Sequence, residues 1–331
     1  MRPTLKDVCR DALVSEATVS RVINGSPLVH QRTRERVMSV IKKLGYTPNA
    51  AARNLSRSKT DTIGVIFHQI SSGFFAQVMA GIDKAARDNR YHILCAFTHF
   101  EAEPGQTCTA MFDEMRIDGM LILDPAINQP LIDELKQYRR PIVMIQRDSQ
   151  DPQIASINVQ NRQGAHIAMK HLLSLGYKDI IVVRGPAGAQ DAQLRLEGCE
   201  LALKEKGHGA SCRYIDGHYA PKDAVEALKA YRAKHGLPRA IFALNDAMAL
   251  AILKDLRSEG VKVPEQVAIV GFDGIECADH VGLTTIETPM SALGEGAVRL
   301  FLNRLDAPDQ PAEHIQLETR LIVRSTCGGG K

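Results

Sequence analysis

Seven short apolar runs recur along the chain: TIGVIF (62–67), HILCAF (92–97), GMLIL (119–123), PIVMI (141–145), DIIVV (179–183), RAIFAL (239–244) and VAIVGF (267–272). Each is too short for a helix that buries a face, and each is nearly unbroken in its apolar character, as a strand covered on both sides requires. The segments between them are helix-length and carry helical spacing: Phe75, Val78, Met79 and Ile82 in one, Leu194, Cys199, Ala202 and Leu203 in another. Strand, helix and strand repeated in this way predict an α/β core of parallel sheets with helices on both faces. About 270 residues exceed one ordinary sheet domain, so the pattern predicts two similar lobes. In open sheets of this kind a ligand sits at the carboxyl ends of the strands, here the cleft between lobes.

The first sixty residues follow a different rule. Residues 4–24, TLKDVCRDALVSEATVSRVIN, predict two short helices joined by a tight turn. The outward side chains of the second are small, hydroxylic or cationic, which suits a helix entering the DNA major groove. Val37, Ile41 and Leu44, stopped by Gly45, supply a third helix for the pair to pack on. The charge agrees. Residues 1–60 hold 12 of the 41 Lys/Arg and 4 of the 38 Asp/Glu, a balance of +8 that leaves −5 for the rest and hides inside an overall +3. A phosphate-binding module concentrates its cations in this way.

Composition excludes several classes. With 44% hydrophobic and 24% charged residues the chain reads as a soluble globular protein. It has no apolar run near the roughly 20 residues of a membrane span and no apolar stretch before a small-residue cleavage site, so a cytoplasmic protein is expected. The seven cysteines are scattered and form no C-x-x-C pair, which argues against disulfides and zinc. The histidines form no H-E-x-x-H, and His166 and His171 are five apart, off a common helical face, so no metal is expected. Gly294-x-Gly296 lacks the third glycine and preceding strand of a dinucleotide site. There is no G-x-S-x-G and no P-loop, so neither a cofactor nor an enzymatic activity is expected.

Taken in order, TLKDVCRDALVSEATVSRVIN, LGYTPNAAARNLSRSKTDTIGVIF, SSGFFAQVMAGID, HLLSLGY, RLEGCELAL, NDAMALAIL and VPEQVAIVGFDG resemble the LacI/GalR family of bacterial transcription regulators over nearly the whole chain. The resemblance implies a helix-turn-helix head (1–47), a hinge helix and linker (48–59) and a two-lobed core like a periplasmic sugar-binding protein (60–331). The lobes would comprise approximately 60–159 with 290–318, and 160–289 with 319–331. It also implies a homodimer on near-palindromic double-stranded operator DNA, with a small-molecule effector, a sugar or sugar derivative, between the lobes. The chain stops just after its last core strand, without a leucine heptad helix, which favours a dimer over a tetramer.

The DNA-contacting set implied by the resemblance is Thr4, Ser15, Glu16, Ala17, Thr18, Ser20, Arg21 and Asn24 in the head, and Asn49, Ala52, Arg53 and Leu55 in the hinge. Ser15 suits an N-cap. Glu16, Ala17 and Arg21 occupy base-reading positions. Arg21 suits guanine O6/N7 or a phosphate; Glu16 suits a cytosine amino group or remains a solvated first-turn acid; Ala17 suits a thymine methyl. Leu55 resembles a lever leucine that kinks the duplex from the minor groove, or it packs on the core. Leu13 stands where the family usually has glycine.

In the core, Arg195 (R-L-x-G) and Asp273 (GFDG) match an Arg and an Asp that grip ligand hydroxyls, the alternative being a lobe-to-lobe salt bridge. Gly274 stands where GFDD is commoner. Asp191, Tyr219, Asn245 and Gln146 match further pocket positions, and Phe74 and Phe75 match aromatic or apolar ones that would stack on a ring; Tyr219 and either Phe serve equally as core residues. The reading is a ligand-responsive repressor, set against a cytoplasmic solute-binding protein and a sugar-modifying enzyme with a DNA-binding appendage. Whether the effector induces, or corepresses as a purine would, stays open.

Overall fold

A computed structural model describes residues 3–46, 59–68, 73–98, 104–114, 116–125, 127–149, 151–207 and 211–329. The chain divides into two compact units, Met1–Thr60 and Asp61–Lys331.

The first unit contains α1 (Leu5–Ala12), α2 (Glu16–Ile23) and α3 (Gln31–Leu44). Val8, Ala12, Val19, Val22 and Val37 are its buried centre, with Ile41 and Leu44 packed against them. α1 opens on a capping box, in which the Thr4 hydroxyl accepts from Asp7 N–H and the Asp7 carboxylate accepts from Thr4 N–H, satisfying two otherwise orphan donors. Gly45 ends α3 in the left-handed region at φ 65°. So does Leu13 at the end of α1, with φ 55° and ψ 49°. The turn keeps the conformation for which glycine is suited, at a cost of roughly 1–2 kcal/mol for a residue with a Cβ. Leu13 is 83% exposed, so no side-chain burial offsets it.

The second unit is built on two six-stranded sheets. One holds β1 (Thr62–Phe67), β2 (His92–Phe97), β3 (Gly119–Leu123), β4 (Ile142–Ile145), β5 (Ala155–Val159) and β11 (His314–Leu317), in the order β11-β5-β4-β3-β1-β2, all parallel. The other holds β6 (Asp179–Arg184), β7 (Ser211–Asp216), β8 (Ala240–Ala243), β9 (Ala268–Asp273), β10 (Thr284–Glu287) and β12 (Arg320–Ile322), in the order β12-β10-β9-β8-β6-β7. Here β12 departs from the all-parallel expectation, running antiparallel to β10. It follows β11, which belongs to the other sheet, after two residues. The chain passes between sheets after Val159, after Glu287 and after Leu317.

β3, β4, β5 and β9 are buried along their whole length, because helices cover both faces. Two of these, α4 (Gly73–Asp88) and α12 (Met290–Asp306), meet backbone to backbone. A Cβ on Gly81 would lie 2.1 Å from the Ser291 carbonyl oxygen, and one on Gly294 2.1 Å from that of Val78. Either Gly→Ala change is expected to cost about 1–3 kcal/mol through overpacking, read as a lower urea midpoint; an unchanged midpoint would contradict the close crossing. Among the described residues no helix is long and apolar enough to cross a membrane.

Candidate functional site

In the first unit the candidate surface is the outer side of α2. Val19 and Val22 turn inward, which leaves Glu16, Ala17 and Arg21 exposed. Ser15 caps the helix: its Oγ accepts from Thr18 N–H at 3.3 Å and lies 3.0 Å from Thr18 Oγ1. These two hydroxyls therefore hold the start of the helix. Ser20 is half-buried and accepts from Asn24 Nδ2 at 3.4 Å. Thr4 donates its hydroxyl to Asp7 at 2.7 Å. Asn49, Ala52, Arg53 and Leu55 lie outside the described residues.

In the second unit a polar network lies at the carboxyl ends of the strands. Arg195, on α8 (Gln190–Lys206), is 2% exposed. Its Nε donates to Asn161 Oδ1 at 2.9 Å, and its Nη1 donates to the Leu244 carbonyl at 2.5 Å and to Asp273 Oδ1 at 3.2 Å. Nη2 faces Asp191 at 3.7 Å, and the guanidinium lies over the Phe272 ring, 3.8 Å from its centroid. A cation this deeply buried is held only because carboxylates, carbonyls and an aromatic face replace its water. Asp273 ends β9 at φ 119°. Arg195 and Asp273 thus both stand on the unit of the β6–β10 sheet, so the lobe-to-lobe salt bridge is excluded as the alternative: the pair lies within one lobe.

Tyr219 is half-buried at φ 59° and donates its hydroxyl to Asp191 at 2.9 Å. Asn245 caps α10 (Asp246–Ser258) through Met248 N–H at 2.8 Å, and its Nδ2 donates to the Tyr219 carbonyl at 3.4 Å. Gln146, just past β4 in the other sheet, accepts from Asn161 Nδ2 at 3.2 Å. The structure therefore connects Arg195, Asp273, Asp191, Tyr219, Asn245 and Gln146. Phe74 and Phe75 sit elsewhere in the contact pattern, edge to face with one another, with Phe75 also edge to face with Phe67.

Two members of the network escape sequence reasoning. Asn161, the first residue of α7 (Asn161–Ser174), bridges Gln146 to Arg195. Asp246 is fully buried and accepts from Gly274 N–H at 2.8 Å, Ile275 N–H at 2.9 Å and the Thr285 hydroxyl at 2.6 Å. Gly274 is also explained. At φ 76°, a Cβ there would meet Glu287 Cα at 2.8 Å, so no side chain fits at that edge. A further buried group, His68 beside Asp124 at 3.4 Å with Thr98 donating to Asp124, follows the carboxyl ends of β1, β2 and β3. Among the described residues no cluster of His, Cys, Asp and Glu is arranged to hold a metal.

Burial pushes the Asp273 carboxyl up to about 8, against the pull of Arg195 and with the help of Asp246 and Asp191. A raised carboxyl binds more protons folded than unfolded, so its contribution is full below the ordinary value near 4 and is lost as pH rises toward about 8. Wild type is therefore expected to lose stability relative to Asp273→Asn as pH is raised from about 5 to about 8.5, read as the difference in melting temperature; a constant difference would contradict this assignment.

Residues 4–49 match the description "Bacterial regulatory proteins, lacI family" and residues 169–327 match "Periplasmic binding protein-like domain". The HTH-type transcriptional repressor PurR of Photobacterium profundum is 31% identical, over 98% of each chain. Among solved structures, a transcriptional regulator CelR–cellobiose complex has a TM-score of 0.73 at 29% identity, covering 98% of this chain and 100% of that one. A lac repressor dimer bound to operator and an anti-inducer has a TM-score of 0.86 at 24% identity, covering 99% of each, a likeness of fold. With the head matched at its own residues and a relative of this identity along its whole length, the chain belongs to the lacI family of bacterial regulatory proteins.

Proposed function

We propose that the chain is a homodimeric, sequence-specific transcriptional repressor, released from a near-palindromic operator by a small molecule bound between the sheets of its core. The observation that carries this reading is the path from Arg195 through Asn161 to Gln146. It joins the carboxyl ends of strands in two different sheets by groups suited to a polar ligand, so a ligand engaging both ends biases how the halves sit. Among the described residues the network holds no nucleophile with a base beside it, as an enzymatic reading would need. The effector-contacting set is Arg195, Asp273, Asp191, Tyr219, Asn245, Gln146, Phe74 and Phe75.

The PurR relative keeps a purine corepressor in view, and the likeness to a cellobiose complex favours a sugar. The test is fluorescence anisotropy of the full chain on operator duplex, titrated with the stabilising compound from a panel of sugars and purines. Weakening of operator binding by about 5–150-fold, with the reciprocal loss of effector affinity on operator, supports an inducer. Strengthening identifies a corepressor, and no coupling refutes the assigned site.

A further inference from the structure

β9 ends in a turn that few residues with a side chain adopt: Asp273 lies at φ 119° and Gly274 at φ 76°. Such backbone at a residue with a Cβ persists only where the surrounding structure over-determines it. Two groups do so here. The Asp273 carbonyl accepts from Thr288 N–H at 2.9 Å and from the Thr288 hydroxyl at 3.0 Å. On the other side of the turn, Asp246 Oδ2 accepts from both Gly274 N–H and Ile275 N–H, and its Oδ1 accepts from the Thr285 hydroxyl. A Cβ on Gly271 would lie 2.1 Å from that Oδ1, so β9 itself leaves room for the carboxylate. Asp246 does not serve as the cap of its own helix. Asn245 does that through Met248 N–H, which leaves both Asp246 oxygens to the strands and the turn.

The turn carries a contact at each end. Asp273 accepts from Arg195 at 3.2 Å. Ile275 packs over Gly73, which opens α4 on the half of the core built around β1; a Cβ added there would lie 3.4 Å from Ile275 Cβ. We propose, resting on the reading of this network as the effector site, that Asp246 is a positioning residue: it fixes residues 273–275 so that Asp273 is aimed at Arg195 and the effector while Ile275 is seated against Gly73. Asp246 is fully buried with both oxygens engaged, so it acts through these neighbours and touches no effector. The turn requires an acceptor for two buried N–H groups. Asp246→Asn keeps one, since an amide oxygen can accept from both while its NH2 donates to the Thr285 oxygen. Asp246→Ala leaves both N–H groups without an acceptor and frees the turn.

The test is calorimetry on the full chain and its variants with D-ribose, D-glucose, cellobiose, adenine and hypoxanthine as probes, beside anisotropy on operator duplex. For the probe that wild type binds, Asp246→Ala is expected to lose affinity by about 10-fold or more, with operator binding in the absence of probe unchanged. Asp246→Asn is expected to restore affinity to within about 3-fold. Thr285→Val, which removes only the hydroxyl on Oδ1, is expected to weaken binding in the same direction and serves if the alanine variant does not fold. Hydrogen exchange at residues 274–275, read without probe, is expected to quicken in Asp246→Ala and not in Asp246→Asn. Wild-type affinity in both Asp246→Ala and Thr285→Val, or unchanged exchange in Asp246→Ala, overturns the positioning role while leaving the effector site in place. An Asp246→Asn variant as weak as Asp246→Ala overturns it too, because charge and not the acceptor would then matter. Binding of no probe by wild type overturns the effector-site reading itself, and this role with it.

Discussion

Arg195→Ala is expected to destabilise the core by about 3–5 kcal/mol, because removing one partner of a buried ion pair leaves the other charges uncompensated. Asp273 loses its cationic partner, and the Asn161 and Leu244 oxygens lose the N–H groups that satisfied them. The packing over Phe272 is lost as well. Urea denaturation of the full chain, followed by circular dichroism, reads the effect as a lower midpoint at unchanged slope. A loss under about 1 kcal/mol, the range of an exposed pair, would show that the network is not assembled as described. The variant is also expected to lose its response to effector. Asp273→Asn separates the two consequences: it keeps the size of the side chain and removes only the ionisable carboxyl, so it should lose effector response with a smaller loss of stability.

Arg21→Ala is expected to cost roughly 1–3 kcal/mol of binding at its cognate base pair and little elsewhere. The reason lies in how α2 is held. Val19 and Val22 fix its inner side in the small core of the head, Ser15 and Thr18 hold its start, and Arg21 is left exposed beside Glu16 and Ala17. Anisotropy titrations against single-base variants of the operator distinguish base from phosphate contact. A loss spread evenly over all sequences, with the salt dependence reduced by about one ion, would place the guanidinium on a phosphate.

The strands that were legible in the sequence are those whose burial on both faces leaves an unbroken apolar run, such as TIGVIF and VAIVGF. Others escaped because their buried polar residues are satisfied internally. β5 is buried throughout, yet it carries Ser156, which is bonded to His314 Nδ1 at 2.9 Å, and Asn158. β10 opens on Thr284, whose hydroxyl donates to the Arg324 carbonyl at 3.2 Å, and Thr285, whose hydroxyl donates to Asp246 at 2.6 Å. Hydrogen bonds between residues far apart in the chain allow polar side chains inside a strand, and local periodicity cannot register them. The same reason hid Asn161 and Asp246, which lie 34 positions from Arg195 and 28 from Gly274, the groups they serve. The head was legible because its signals are local: an N-cap serine, the helical spacing of Val37, Ile41 and Leu44, and a glycine stop all fall between Ser15 and Gly45.

The central claim, that the head reads DNA sequence as half of a symmetric pair, is tested most directly by selecting bound duplexes from a random pool with the full chain, beside Arg21→Ala. The account predicts enrichment of near-palindromic sequences whose half-sites lie about one helical turn apart, with preference at one base pair per half-site lost in the variant. Enrichment of no common sequence, or of a single unpaired half-site unaffected by Arg21→Ala, would contradict it.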